Sequence, residues 1–499
     1  MRQSGILMPL FSLPSPYGIG TMGKEAYNFT DFLKKSGQSI WQLLPVCPTS
    51  YGDSPYQSFS SFAGNPYFID LDMLEDDGYL EKSDYADVKF FEDPDKIDYA
   101  LLYNNRYPVL FKAYERFIKD PPSDYAVFCA KNDWWLEDYA LFMALKTENG
   151  GKSWNKWKKP LASRQPEALA QARTRLRTDV EFHKTLQFLF SKQWTALKAY
   201  ALKNGIKIMG DLPIYAAYDS ADVWANPEQF ELGSDLLPIE VAGCPPDAFS
   251  KDGQLWGNPL YNWERMKKET PKYGFWINRI SYALELYDIL RIDHFRGFES
   301  YYAIPSAEKT ARFGRWRKGP DTDFFDTLRQ ALGDLPIVAE DLGFLTDEVY
   351  KMLVATGFPG MKVLQFAFDS REENDYLPYN YGKNCIVYTG THDNDTLMGW
   401  LKTASEDEVK QAKDYIRAND SEGFNWAMIK VAYASVADTV IIPMQDFIGL
   451  GSEGRINEPG TLGGNWQWRI AKGCTNDWLA QIIYDITGIY GRRPPEKTK

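Results

Sequence analysis

The chain has 499 residues, of which 44% are hydrophobic and 25% charged. That balance belongs to a globular protein able to bury a core, and the length fits about three domains or one barrel with insertions. No apolar run reaches the roughly 18 residues of a membrane helix, and a net charge of −12 without a basic cluster argues against a nucleic-acid partner.

Arg2 and the run from Gly5 to Leu10 faintly resemble a secretory signal, but Pro9 interrupts it and no small-residue cleavage site follows. We read it as a strand. Cys47, Cys129, Cys244, Cys385 and Cys474 are scattered, odd in number and without CxxC spacing. This disfavours a disulfide framework and a zinc site, and a cytoplasmic location is expected. Aromatic residues reach 15%, with 16 Trp and 31 Tyr. They fit a large aromatic core or flat faces that stack on sugar rings.

In chain order, short apolar runs alternate with helical periodicity, the pattern of a parallel sheet. A first strand is expected over Gly5 to Leu13. A helix follows from about Lys24, with Ala26, Phe29, Phe32 and Leu33 on one face and Gly37 as its stop. Ile40 to Val46 reads as the second strand. Residues 70–178 break the rhythm and read as a mainly helical insertion, with one helical stretch over Trp134 to Lys146. The stripe Leu186, Phe190, Gln193, Leu197 and Ala201 then leads into a third strand, Ile206 to Leu212. Residues 215–273, full of Gly, Pro and Asn, are expected to form an irregular insertion over a cleft. A helix marked by Trp276, Ile280, Ala283, Leu284 and Tyr287 precedes a fourth strand, Ile289 to Ile292. Further strands are expected at Pro336 to Ala339, Met361 to Phe366, Cys385 to Tyr388 and Ala437 to Pro443, and a last helix from about Asp477 to Ile486. Eight strands with intervening helices predict an α/β fold, a (β/α)8 TIM barrel built from residues 1–69 and 179–499. A doubly wound open sheet would alternate in the same way.

A barrel carries its chemistry at the carboxyl ends of its strands. Four expected strands run from apolar residues into charged ones: Ile208-Met209-Gly210-Asp211, Leu290-Arg291-Ile292-Asp293-His294, Ile337-Val338-Ala339-Glu340-Asp341, and Val387-Tyr388-Thr389-Gly390-Thr391-His392-Asp393. One polar strand end means little, because loops begin there. Four, carrying an arginine, a glutamate and two of three histidines, point to a shared site. The third, His183, lies in a polar helical segment and is expected at the surface.

Paired carboxylates flanking a pocket serve glycoside chemistry: one attacks the anomeric carbon while the other donates and recovers a proton. Arg291 and Asp293 are two residues apart on one strand and face the same way, so the guanidinium is expected to lower the Asp293 pKa and keep it ionised. Glu340 follows an apolar run, a setting that raises a carboxyl pKa.

These strand ends resemble the short motifs of the α-amylase clan, and within it the chain resembles the 4-α-glucanotransferases, the amylomaltases or disproportionating enzymes. The likeness extends to Ser54-Pro55-Tyr56-Gln57, Phe62 to Tyr67, Asp219 to Trp224, Gly243-Cys244-Pro245-Pro246-Asp247 and Asp252 to Pro259. It continues through Arg296-Gly297-Phe298, Thr391 to Thr396, Pro459-Gly460-Thr461 and Gly464-Asn465-Trp466. The resemblance implies Asp293 as nucleophile, Glu340 as general acid/base and Asp393 as stabiliser of the transition state. Arg291 and His392 would line the same subsite, with Asp211 as the partner of Arg291. Tyr56, in a motif with Ser54, would be an aromatic platform. Asp247, Gln254 and Trp256 would lie on a loop closing over the glucan, and Asp369 and Asn465 would contact glucose hydroxyls. The role of His294 stays open. The resemblance also implies a chain that starts directly in the barrel.

Other signals are weaker. Gly18 to Gly23 matches GxGxxG, but no acid ends the next strand and Pro14 and Pro16 disturb the turn, so dinucleotide binding is not expected. Asp393-Asn394-Asp395 is too short to identify a metal site, and Cys47 has no histidine partner motif and reads as a core residue. The expected function is retaining transfer of α-1,4-glucan segments among glucans and maltooligosaccharides, with no cofactor or metal. A hydrolase of the same clan and a non-catalytic glucan-binding protein are the rivals. Oligomeric state is not legible.

Overall fold

The computed structural model describes residues 2–495 apart from 51, 247–250, 344, 369–374, 418–420 and 462. Eight strands form one parallel sheet: β1 (Gln3–Leu7), β2 (Ile40–Gln42), β3 (Lys207–Pro213), β4 (Ile289–Asp293), β5 (Ile337–Ala339), β6 (Gly360–Val363), β7 (Cys385–Tyr388) and β8 (Thr439–Pro443). Their order, β6-β7-β8-β1-β2-β3-β4-β5, is sequential around a circle. The remaining seam is bridged where the Ala339 N–H donates to the Pro359 carbonyl at 2.9 Å and the Met361 N–H to the Asp341 carboxylate at 2.6 Å. The sheet is thus a (β/α)8 barrel, as the alternation predicts. Its strands are short and almost wholly buried because both faces are covered, by barrel interior and by helices.

Each expected strand is present, but several stop early. Pro9 removes a ladder donor, so β1 ends at Leu7 and Leu10–Ser12 turns as a short 3-10 helix. Likewise β6 ends at Val363 and Leu364–Phe366 winds up. The sequence marks where the chain is apolar, whereas hydrogen-bonded neighbours decide where it stays extended.

Residues 71–176 carry helices and no strand, among them Tyr99–Phe117 and Ser123–Glu148. These two pack on the long helix Arg177–Lys203. That packing corrects the expectation for His183: it is 6% exposed, and burial pushes its imidazole down to about 4, so it is neutral. Residues 215–273 also differ from expectation. Two strands there, Glu240–Cys244 and Gln254–Pro259, join Ser300–Pro305 and Arg315–Lys318 in a four-stranded antiparallel sheet. Glycines and prolines mask the strands' alternation, and half of the sheet comes from the chain beyond β4.

Gly210, beside Asp211 on β3, shows how closely helices press on the barrel. A Cβ there would lie 2.2 Å from ring atoms of Tyr287, which is buried. Gly210→Ala is therefore expected to destabilise the fold by about 1–3 kcal/mol through overpacking. Urea unfolding would read this as a lower midpoint at unchanged slope, and an unchanged midpoint would mean that the Tyr287 ring gives way.

Candidate active site

The parallel register sets neighbouring strand ends level. Asp211 on β3 pairs with Arg291 on β4, and Pro213 with Asp293. Ile292 pairs with Ala339 on β5, and the Glu340 N–H donates to the Ile292 carbonyl at 3.0 Å. Asp211, Arg291, Asp293 and Glu340 therefore meet at one end of the barrel, joined by His392 and Asp393 from the loop after β7.

Arg291 is the hub. Its Nη1 donates to both Asp211 oxygens at 2.7 Å and to Asp293 Oδ1 at 3.0 Å, while its Nε faces Met361 Sδ at 3.4 Å. Burial works against this cation, but Asp211, Asp293, Tyr56 and Glu340 outweigh it and hold the guanidinium charged. One cation is thus divided among several acids. This corrects the expectation for Asp293, whose side chain is 28% exposed toward the cleft. Burial holds its carboxyl well above the usual carboxylate range; Arg291 pulls it down, and the nearby acids Asp211, Glu340 and Asp393 push it back up. The sequence shows the arginine two residues away but not that Asp211 has already claimed it.

Glu340 is raised by burial, in the direction its apolar run implies, and is opposed by Arg291 and by two backbone N–H groups. Those donors are His294 N–H, 2.7 Å from Oε2, and Leu342 N–H, 2.9 Å from Oε1. His294 turns its N–H this way by adopting a left-handed backbone, φ 54°. Its imidazole is half-buried, with Nε2 enclosed and lacking a hydrogen-bond partner, and desolvation pushes it down to about 3.

The Tyr56 hydroxyl donates to Asp211 Oδ2 at 2.7 Å, and its ring stacks on His392 at 5.2 Å, 15° from parallel, with Trp466 tilted beside both. The Ser54 hydroxyl accepts the Tyr56 N–H at 3.2 Å and braces this turn. His392 is buried, which lowers its pKa against the pull of Asp393; its Nε2 lies 3.4 Å from Asp393 Oδ2. The Asp393 side chain is 43% exposed and open to the cleft.

On the strand Gln254–Pro259, Trp256 meets the His294 ring edge-on at 4.9 Å and donates from Nε1 to Gln254 Oε1 at 3.1 Å. Gln57 ties this strand to the Tyr56 segment by donating to the Trp256 carbonyl and to Asn258 Oδ1. The Asn465 amide is engaged within its own loop, with Glu458 N–H and Thr461. Asp247 and Asp369 lie outside the described residues.

Two residues that sequence reasoning did not single out hold Asp393. Asn457 Nδ2 donates to Asp393 Oδ1 at 2.6 Å, and Arg455 Nη2 donates to the Asp393 carbonyl at 3.1 Å. They lie just before the Pro459-Gly460-Thr461 motif, and only the fold carries them to β7. Among the described residues, no group of three or more His, Cys, Asp or Glu is placed to hold a metal.

Fold and site together define a carbohydrate-active barrel enzyme whose carboxylates converge at the strand ends. The sequence pattern of the 4-alpha-glucanotransferase family matches residues 8–475, and the chain belongs to that family. It is 50% identical to a 4-alpha-glucanotransferase of Clostridium butyricum over 97% of this chain and 100% of that one. Identity to the Thermus thermophilus 4-alpha-glucanotransferase is 48% over 95% of each chain. The solved amylomaltase of Streptococcus agalactiae in complex with acarbose superposes with a TM-score of 0.96 at 43% identity, covering 99% of this chain and 100% of that one. The chain is a transglycosylase of α-1,4-glucans.

The opposed influences on Asp293 can be separated by stability. A buried carboxyl with a raised pKa favours the folded state while protonated. That contribution is present below the unfolded value of about 3.9 and is lost as pH rises through the folded value. Asp293→Asn stays neutral throughout. Its Tm is expected to exceed that of wild type near pH 7, with the gap closing as pH falls toward 4. Calorimetry across that range checks this; a less stable variant at pH 7 would mean that the Arg291 contact outweighs burial.

Proposed function

We propose that Asp293 is the nucleophile, Glu340 the general acid/base and Asp393 a stabiliser of the transition state, acting on α-1,4-glucans and maltooligosaccharides. The observation that carries this reading is the Arg291-centred cluster, in which Asp211 and Asp293 share one strongly engaged cation whose charge also reaches Glu340. In the first step an Asp293 oxygen bonds to the anomeric carbon as the bond to the leaving 4-oxygen breaks, and Glu340 gives that oxygen its proton. In the second step Glu340 takes the proton of an acceptor 4-hydroxyl, whose oxygen displaces Asp293. Two inversions retain the anomeric configuration.

The active form needs Asp293 ionised and Glu340 protonated. Burial favours the proton on both carboxyls, and direct contact with Arg291 opposes it at Asp293, the one of the two that the guanidinium touches. Neutral His392 offers an N–H donor and Asp393 a pair of acceptors for sugar hydroxyls. Tyr56 presents an aromatic face to a pyranose, and Asp211 holds Arg291 in place. We assign Ser54, Asp247, Gln254, Trp256, Asp369 and Asn465 to glucan binding. Acarbose in the Streptococcus agalactiae relative supports a glucan cleft. No helix among the described residues is long and apolar enough to cross a membrane.

Asp293→Asn is expected to abolish transfer, since attack requires the ionised carboxylate. Glu340→Gln should still form a covalent adduct with α-glucosyl fluoride, whose leaving group needs no acid. Mass spectrometry of the enzyme reads both, and turnover by the first variant or no adduct on the second would reassign the roles.

Acceptor sugars outcompete water only when held close and oriented. We assign that hold to Trp256, which meets His294 edge-on. From maltotriose the wild type should yield glucose and longer oligosaccharides. Trp256→Ala should raise new reducing ends relative to free glucose, that is, hydrolysis over transfer. An unchanged ratio in a folded, active variant would place water exclusion elsewhere.

A further inference from the structure

Asp446 is 1% exposed and stands in the short helix Met444–Ile448 that follows β8. Its carboxylate is not among those that Arg291 bonds. Its two oxygens take two donors that lie eight residues apart in the chain: Oδ2 accepts the Thr389 hydroxyl at 2.5 Å and Oδ1 accepts the Leu397 N–H at 2.8 Å. Thr389 is the first residue after β7, and Leu397 is the first of the helix Leu397–Thr403. One carboxylate therefore grips both ends of the loop whose middle carries His392 and Asp393.

The rest of the loop is braced from other sides. Gln365 Nε2 donates to the Asp395 carbonyl at 2.7 Å, the Asn394 side chain accepts the Thr391 N–H at 2.9 Å, and the Asn457 N–H donates to the His392 carbonyl at 3.1 Å. Asp446 is itself fixed, since Asn425 Nδ2 donates to its carbonyl at 2.8 Å. Thr389 and Leu397 are fully buried, so loss of their acceptor would leave a backbone donor and a hydroxyl unpaired away from water, and the loop must shift to satisfy them.

We propose that Asp446 is a positioning residue for the transfer reaction, holding the Thr389-to-Leu397 loop so that His392 and Asp393 are presented to the reacting sugar at fixed height. Its effect passes through Asp393, and the inference rests on the role given to Asp393 above. Aspartate suits the task because its carboxylate offers acceptors on both sides. Asparagine keeps one acceptor for Leu397 and presents an N–H that Thr389 can accept after turning its hydroxyl. Leucine, of similar size, offers nothing.

The test is a double-mutant cycle with Asp393→Asn, followed with α-glucosyl fluoride as donor so that slow variants can be measured, with thermal unfolding of each protein. Asp446→Leu should lower kcat about 100-fold through a displacement of Asp393 on the ångström scale. KM should change much less, and Asp446→Asn should restore most of the rate. In the Asp393→Asn background, Asp446→Leu should cost less than about threefold further. Thr389→Val, which removes one grip while the Leu397 N–H still pairs the Asp446 carboxylate, should show the same pattern at smaller size and decides the matter if Asp446→Leu does not fold. An Asp446→Leu enzyme with wild-type kcat, or a loss repeated in full in the Asp393→Asn background, overturns the proposal. If Asp393→Asn alone retains wild-type kcat, the role of Asp393 fails first and the proposal falls with it.

Discussion

The site depends on how one buried positive charge is shared. Arg291, almost wholly enclosed, contacts both Asp211 oxygens and one oxygen of Asp293, and its charge also reaches Glu340. Stripped of water, a guanidinium must be paired, and each carboxylate near it is costly unless it draws on the same cation. Asp211 takes the larger share through two contacts and leaves Asp293 with one. The proposed nucleophile is thus tethered without being fully neutralised. Removing a single member of this set would disturb the others, because they share one cation.

The barrel makes such sharing possible. Parallel strands in register set Asp211 level with Arg291 and Asp293 level with Glu340, and the side-chain alternation along β4 points Arg291 and Asp293 to one side. Backbone donors then fix what the strands bring together. The left-handed turn at His294 and the N–H of Leu342 hold both oxygens of Glu340, so the carboxyl is oriented before substrate arrives. On the opposite side of the site, Asn457 and Arg455 hold Asp393, and the Tyr56 ring lies flat on His392.

The antiparallel sheet bears on the cleft from outside the barrel. Its strand Gln254–Pro259 brings Trp256 against His294, and Gln57 ties that strand to the turn that carries Tyr56. One residue pair, His294 and Glu340, therefore links this strand to the proposed proton donor. A change in how Trp256 sits can reach Glu340 through a single backbone N–H, that of His294.

The eight strands were legible in the sequence because parallel barrel strands are buried on both faces and read as short apolar runs. The charged residues ending four of them were legible because each run stops abruptly in a loop. Arg291 beside Asp293 needed only the two-residue strand period. The helices of residues 71–176 were legible, but not that they bury His183, since coverage from a second helix leaves no local mark. The strands Glu240–Cys244 and Gln254–Pro259 escaped notice because their glycines blur the alternation and their partners lie beyond β4. Asn457, Arg455 and Asp446 carry no local signal; each acts on residues that are distant in sequence and adjacent only around the barrel. The balance at Asp293 was likewise decided by tertiary structure. A sequence names the charges near a carboxylate, but desolvation and the prior claim of Asp211 on Arg291 exist only once the chain has folded around them.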